Sequence, residues 1–188
     1  MLRHALAPMF EPSSLVIVAD RPLPAAGSLS PALKARTTFV ACETGAAPDL
    51  PGTLQGLAAG ERPDLALVCV SPAVLPETLR RLSPLAPRSV ILLPHPLPDP
   101  YPRGTLALCR AWAEENRCEL LGPRSFGAQR PHAGLNLSQH PVLARAGRVA
   151  LLAQSRSIMA AVMDWAEDVH IGFSTAVSLG DEAVVGLS

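Results

Sequence analysis

No apolar run in these 188 residues approaches the ~20 needed to cross a bilayer, so a membrane-spanning helix is not what organises the chain. The opening MLRHALAPMFEP has no long apolar stretch ahead of its acid and prolines, and does not read as a signal peptide. Charge of one sign is also lacking. The 16 basic and 16 acidic residues cancel, which argues against a partner that presents a phosphate backbone. Lysine is nearly absent, Lys34 being the only one, and arginine supplies the rest of the positive charge; we read this as genome composition rather than function. The four cysteines, Cys42, Cys69, Cys109 and Cys118, form no CxxC pair and no metal spacing, so no metal ligand set is expected. Cys42 and Cys69 fall in apolar runs, where buried free thiols are the ordinary reading, and a cytoplasmic setting fits. Internal repeats and low-complexity tracts are missing too.

What is present is apolar and orderly. Hydrophobic residues make up 48% of the chain and charged ones 17%, enough for a sizeable core. The 20 prolines cluster between apolar runs, where a fixed φ and a missing amide donor punctuate elements without breaking them. Leu15–Val18, Thr37–Ala41, Leu65–Val70, Val90–Leu93 and Glu119–Leu121 read as strands. Between them, Leu75, Leu79 and Leu82 mark one amphipathic helix. Leu108 with Trp112, and Cys109 with Ala113, mark another over 104–117. Alternation of this kind predicts an α/β parallel sheet. A second unit opens near residue 147, with a strand over Arg148–Leu152, a helix near 157–169 capped by Ser157, and a strand over Phe173–Leu179. The helix carries an apolar stripe of Ile158, Val162, Trp165 and Val169, which reads as core. One β-α-β unit cannot cover both faces of its own sheet. It must dock on the first domain, meet another chain, or continue into a longer one.

The order of short motifs resembles the NDP-forming acyl-CoA synthetases, their relative the succinyl-CoA ligase alpha subunit, and the protein acyltransferases built on them. Phe10-Glu11-Pro12-Ser13-Ser14-Leu15-Val16-Ile17-Val18 is similar to the family's entry strand, Pro63–Val68 to its third strand, and Ser71-Pro72-Ala73 to the loop after it. Leu120-Leu121-Gly122-Pro123-Arg124-Ser125-Phe126-Gly127, followed by Gly134-Leu135-Asn136, resembles its Leu-Gly-Pro turn. Gly147–Ser155 and Asp164–Asp181 resemble the opening of its second domain. The resemblance implies a Rossmann-like coenzyme A-binding domain over 8–135 and the start of a flavodoxin-like, succinyl-CoA synthetase-like domain over 146–188. It also implies coenzyme A or acyl-CoA as ligand, further domains or a partner subunit, and neither nucleic acid nor membrane as partner.

Ligands of open parallel sheets lie outside the carboxyl ends of the strands. By resemblance the binding loops then include Ala19, Asp20, Arg21 and Gly27, then Ser71, Pro72 and Ala73, then Gly122, Pro123, Arg124 and Ser125. Amides there and a helix N-terminus suit a pyrophosphate, with Arg21 and Arg124 adding charge. The sequence departs from the family at several of these points. Val18 stands for a glycine, Asp20 for a small hydroxyl residue, and Arg124 for an asparagine. Pro22, Leu23 and Pro24 replace amide-donating residues, and Arg156 replaces a small residue after Gln154-Ser155.

No catalytic residue is assigned. None of His4, His95, His132, His140 and His170 sits in the family's Gly-His-Ala phosphohistidine loop, and no G-x-S-x-G elbow is present. His95 and His132, among prolines, read as solvated, and Asp20 as a loop cap. Three classes of function stand: a coenzyme A-binding module without complete catalysis, a degenerate fold used as an interaction or regulatory surface, and a free-standing enzyme with a new use of the cleft.

Overall fold

The computed structural model describes residues 4–24, 29–43, 45–49, 62–95 and 101–187. A short helix α1 (Ala7–Phe10) leads into β1 (Leu15–Ala19), α2 (Pro31–Lys34), β2 (Thr37–Ala41) and β3 (Leu65–Cys69). Next come α3 (Leu75–Leu82), β4 (Ser89–Leu92), α4 (Thr105–Asn116) and β5 (Glu119–Leu121). These five strands form one parallel sheet in the order β2-β1-β3-β4-β5, so the chain reverses its direction of winding beside β1. The fold is α/β, as the alternation predicts.

Each central strand is apolar on both faces because each face meets a layer. Val16, Val18, Ala66, Val68, Val90, Leu92 and Leu120 pack under α3 and α4, against Leu75, Leu79, Leu82, Cys109, Trp112 and Ala113. In α4 the inward stripe is Thr105, Cys109, Trp112 and Ala113, whereas Leu108 is 36% exposed and lies outside it. Trp112 Nε1 donates to Ser83 Oγ at 2.8 Å, giving the buried indole its partner.

The second sheet holds β6 (Gly127–Arg130), β7 (Leu135–Ser138), β8 (Ala146–Ala153) and β9 (Phe173–Ser178) in the order β7-β6-β9-β8. β6 and β7 form an antiparallel hairpin that the sequence pattern does not announce. Its buried polar residues hold the following loop: Gln129 Nε2 donates to Asn136 Oδ1, Ser138 Oγ and the Val142 carbonyl, while Gln129 Oε1 accepts from the Ala144 amide. This sheet docks on the first. Ala128, Leu135, Leu137, Val177 and Leu179 share one core with Leu15, Ile17, Leu65, Leu67, Ile91 and Leu121, the opposite face of the first sheet.

Helix α5 (Arg156–Asp168) joins β8 to β9, and its cap is Ser155, whose side chain accepts from the Ile158 amide, rather than Ser157. Its buried face is Met159, Met163 and Ala166, packed with Phe173, Ala176 and Leu151. Of the stripe read as core, only Val162 packs in part against that cluster, while Ile158 is 59% exposed, Trp165 56% and Val169 46%. Both stripes are apolar at helical spacing, roughly a quarter-turn apart, and the sheet chose the methionine face.

Candidate functional site

The carboxyl ends of β1, β3, β4 and β5 open on one side of the first sheet, and the chain sets its polar residues there. Ala19 ends β1 and is buried. Asp20 follows, its side chain 1% exposed, and its carboxylate accepts from Arg21 Nε at 2.9 Å and contacts His95 Nε2 at 2.8 Å. The Arg21 guanidinium also touches His95 Nε2. Gly27 lies outside the described residues.

Ser71 and Pro72 are buried just past β3, while Ala73 is exposed; the Ser71 carbonyl accepts from the Val74 amide as the chain turns into α3. After β5, Gly122 takes φ 107° where a Cβ would meet the Leu92 carbonyl at 2.8 Å, so only glycine fits. Pro123 and Ser125 are buried, and Ser125 Oγ donates to the Ser178 carbonyl, which ties this turn to the end of β9. Arg124 points outward and forks onto Asp181, with contacts of 2.6 to 3.0 Å, and its guanidinium lies 6.0 Å from the centre of the Tyr101 ring.

Thus the predicted residues that are described gather at one end of one sheet. His95 corrects the solvated reading. It is 5% exposed, because the turn after β4 folds it inward against Asp20. That pairing also changes what Asp20 means. Its charge is balanced by Arg21 and by hydrogen bonding to His95, so it is not a bare anion facing a ligand. The one signal available in the sequence was position, since His95 stands three residues beyond a buried strand on the sheet's open end.

Two adjoining hollows extend the site toward the second sheet. One, of about 390 Å³, is lined by Pro94, His95, Phe126, Gln139, Arg156 and Ala160. The other, of about 260 Å³, is lined by Arg124, Gln154, Ser155, Gly180 and Asp181. Arg156 and Ser157 border both, so the first turn of α5 sits between them. Arg156 is exposed at the head of this 13-residue helix, where the macrodipole and unbonded amides favour an anion. The sequence pattern marked Arg156 only as a departure, since its neighbours in space are far away in the chain.

Cysteine chemistry is muted here. Burial, reinforced by the Asp20 charge, pushes the Cys69 thiol up to about 11. Burial raises Cys109 to about 11 and Cys118 to about 12. All are free thiols, and with raised values they stay protonated at neutral pH. Among the described residues no group of His, Cys, Asp and Glu is arranged to hold a metal ion, and no helix is long and apolar enough to cross a membrane.

Comparison with known proteins places this architecture. Residues 146–188 match the succinyl-CoA ligase like flavodoxin domain. The ADP-forming acetate–CoA ligase I of Archaeoglobus fulgidus is 34% identical over 73 residues, covering 39% of this chain and 11% of the relative. PH0766 from Pyrococcus horikoshii OT3 superposes with a TM-score of 0.77 at 20% identity, over 97% of this chain and 44% of that one. A dinucleotide-forming acetyl-coenzyme A synthetase 1 of Ca. Korarchaeum cryptofilum, solved with phosphate and ADP, gives 0.74 at 18% identity, over 97% and 41%. The chain is therefore related to the NDP-forming acyl-CoA synthetases and carries their fold, while spanning only a part of each relative's length.

Proposed function

We propose that this chain, a relative of the NDP-forming acyl-CoA synthetases, is a coenzyme A- or acyl-CoA-binding module. It binds rather than turns over, and works beside further domains of a synthetase or protein acyltransferase. The observation that carries the reading is the meeting of the loops after β4 and β5 with α5. Pro94 and His95 after β4, and Arg124 and Phe126 after β5, line with Arg156 two hollows on either side of the first turn of α5.

The residues present fit such a ligand. Arg156 and the first-turn amides of α5 suit a phosphate or pyrophosphate. Arg124 is held by Asp181 against Tyr101, which fixes its guanidinium while leaving the side chain 58% exposed. Asp20 is the feature least suited to an anion, and its pairing with Arg21 and His95 offsets it.

Calorimetric titration with coenzyme A, acetyl-CoA and ADP tests the reading. Micromolar binding is expected, weakened roughly tenfold by Arg156→Ala or Arg124→Ala through loss of one charge-assisted hydrogen bond. A folded protein that gives neither heat nor a thermal shift with any of the three would overturn it.

A further inference from the structure

The acid after β1 is the residue that fits an anion site worst, and its surroundings give it a different use. The winding of the first sheet reverses between β1 and β3, and ligands of open parallel sheets sit in the crevice beyond such a point. Asp20 and Arg21 follow β1 directly, so they stand at its mouth. His95 arrives from β4, with the end of β3 between, a crossing of roughly 10 Å at ordinary strand spacing. The turn that carries it is held in place, since Gln139 Nε2 donates to the Pro94 carbonyl at 2.6 Å.

The three side chains close a ring of contacts. Asp20 Oδ1 accepts from Arg21 Nε at 2.9 Å, Asp20 Oδ2 lies 2.8 Å from His95 Nε2, and Arg21 Nη2 touches the same Nε2. One ring nitrogen cannot serve both neighbours. A guanidinium only donates and a carboxylate only accepts, so Nε2 either carries a proton toward Asp20 or presents a lone pair to Arg21. The second arrangement sets a lone pair against the oxygen of a carboxylate that is 1% exposed, and deprives that oxygen of its donor. The first is therefore the stable one. It gives Asp20 two donors and leaves Arg21 Nη2 without an acceptor. Among the described residues the guanidinium has no further partner, and the side chain is 30% exposed, so solvent and ligand can reach it.

We infer that Asp20 and His95 are positioning residues for Arg21, and that Arg21 is the arginine that grips a phosphate at the β1 end of the sheet. The inference rests on the coenzyme A reading above and deepens it. Asp20 pins Nε, and His95 locks the carboxylate from its other side. Nη1 and Nη2 are left as a fixed fork, the geometry that suits two oxygens of a phosphate or pyrophosphate. Pinning lowers the ordering cost that a long side chain otherwise incurs on binding. The acid thus helps an anion at second hand, through the arginine it holds.

The test is calorimetric titration of the 188-residue chain with coenzyme A and, separately, with inorganic pyrophosphate. The variants are Arg21→Ala, Arg21→Lys, Asp20→Asn and the double variant of Asp20→Asn with Arg21→Ala, each shown by its melting curve to be folded. Arg21→Ala should weaken pyrophosphate about tenfold, through loss of a charge-assisted contact, and Arg21→Lys should recover little, having no Nε to pin. The sign of the Asp20 effect decides its role. An acid that is merely a nearby negative charge would tighten anion binding when replaced by asparagine. A positioning acid should weaken it several-fold while Arg21 is present, and tighten it or leave it unchanged once Arg21 is alanine. Tighter binding by Asp20→Asn with Arg21 present overturns the inference, as does an Arg21→Ala variant that binds pyrophosphate as well as the unaltered chain. Should Asp20→Asn not fold, full recovery by Arg21→Lys refutes the fork and failure to recover upholds it. Pyrophosphate binding with this pattern, beside no response to coenzyme A, upholds the inference and sinks the coenzyme A reading. Coenzyme A binding without the pattern does the reverse, and binding of neither overturns both.

Discussion

Replacing His95 with alanine probes the feature that most separates the structure from its sequence. The imidazole is 0% exposed and the Asp20 carboxylate 1%, with 2.8 Å between them. Removing the ring leaves a buried carboxylate with Arg21 Nε, at 2.9 Å, as its remaining charged partner. Leaving a buried hydrogen-bonding group without its partner costs about 1–3 kcal/mol, and more where the group is charged. Arg21 compensates in part, so a loss near ~3 kcal/mol follows. For a domain of this size each kcal/mol moves Tm by about 2–4 °C, so the melt should fall by about 6–12 °C. Arg124→Ala is the control. Its side chain is 58% exposed, and solvent-exposed pairs typically contribute about 0–1 kcal/mol. Melts followed by circular dichroism, with Asp20→Asn closing a double-mutant cycle, should give a coupling near ~1–3 kcal/mol between Asp20 and His95. If His95→Ala moves Tm no further than Arg124→Ala does, the imidazole is solvated, and the account of the sheet's open end is wrong.

Other outcomes follow from packing and protonation. Gly180→Ala should destabilise by about 2–3 kcal/mol by urea titration, since φ is +64° and a Cβ would meet the Pro123 carbonyl at 2.3 Å, where the two sheets are joined. A thiol reagent at pH 8 should modify half-buried Cys42 first, while Cys69, Cys109 and Cys118 react only after unfolding, because burial raises all three. The same shifts set alkaline stability. These thiols and Tyr101, pushed up to about 12 mainly by burial, release protons at lower pH when unfolded. Stability is therefore full below about pH 9 and falls as pH rises toward about 12, which melts over that range would reveal as a steady drop in Tm.

Much of this protein is local in origin, and to that extent it can be read along the chain. Strands β1 and β3 are continuous apolar runs buried along their whole length, as a parallel strand covered on both sides requires, whereas the edge strand β2 carries Thr37 and Thr38 and leaves Phe39 exposed. The Leu75, Leu79 and Leu82 stripe has one apolar face, so its inward side is settled before any partner is known. The ordered motifs of Phe10–Val18, Leu120–Gly127 and Gly147–Ser155 fix turns whose geometry only certain residues allow, and they carry the relationship to the synthetases.

The rest depended on which layers meet. α5 has two apolar stripes, and no local rule says whether Met159 and Met163 or Ile158 and Trp165 turn inward; the sheet beneath decides. The β6–β7 hairpin has short strands with a buried glutamine, asparagine and serine, whose hydrogen bonds exist only when the hairpin is folded. His95 sits among prolines and looks exposed, yet Asp20, 75 positions earlier, draws it under the loop. Arg124 and Arg156 are 32 positions apart in the chain and share one hollow. Sequence determines what a residue can satisfy by itself or with its near neighbours. Burial, charge pairing and the choice between equivalent faces are properties of distant contacts, so only the tertiary structure decides them.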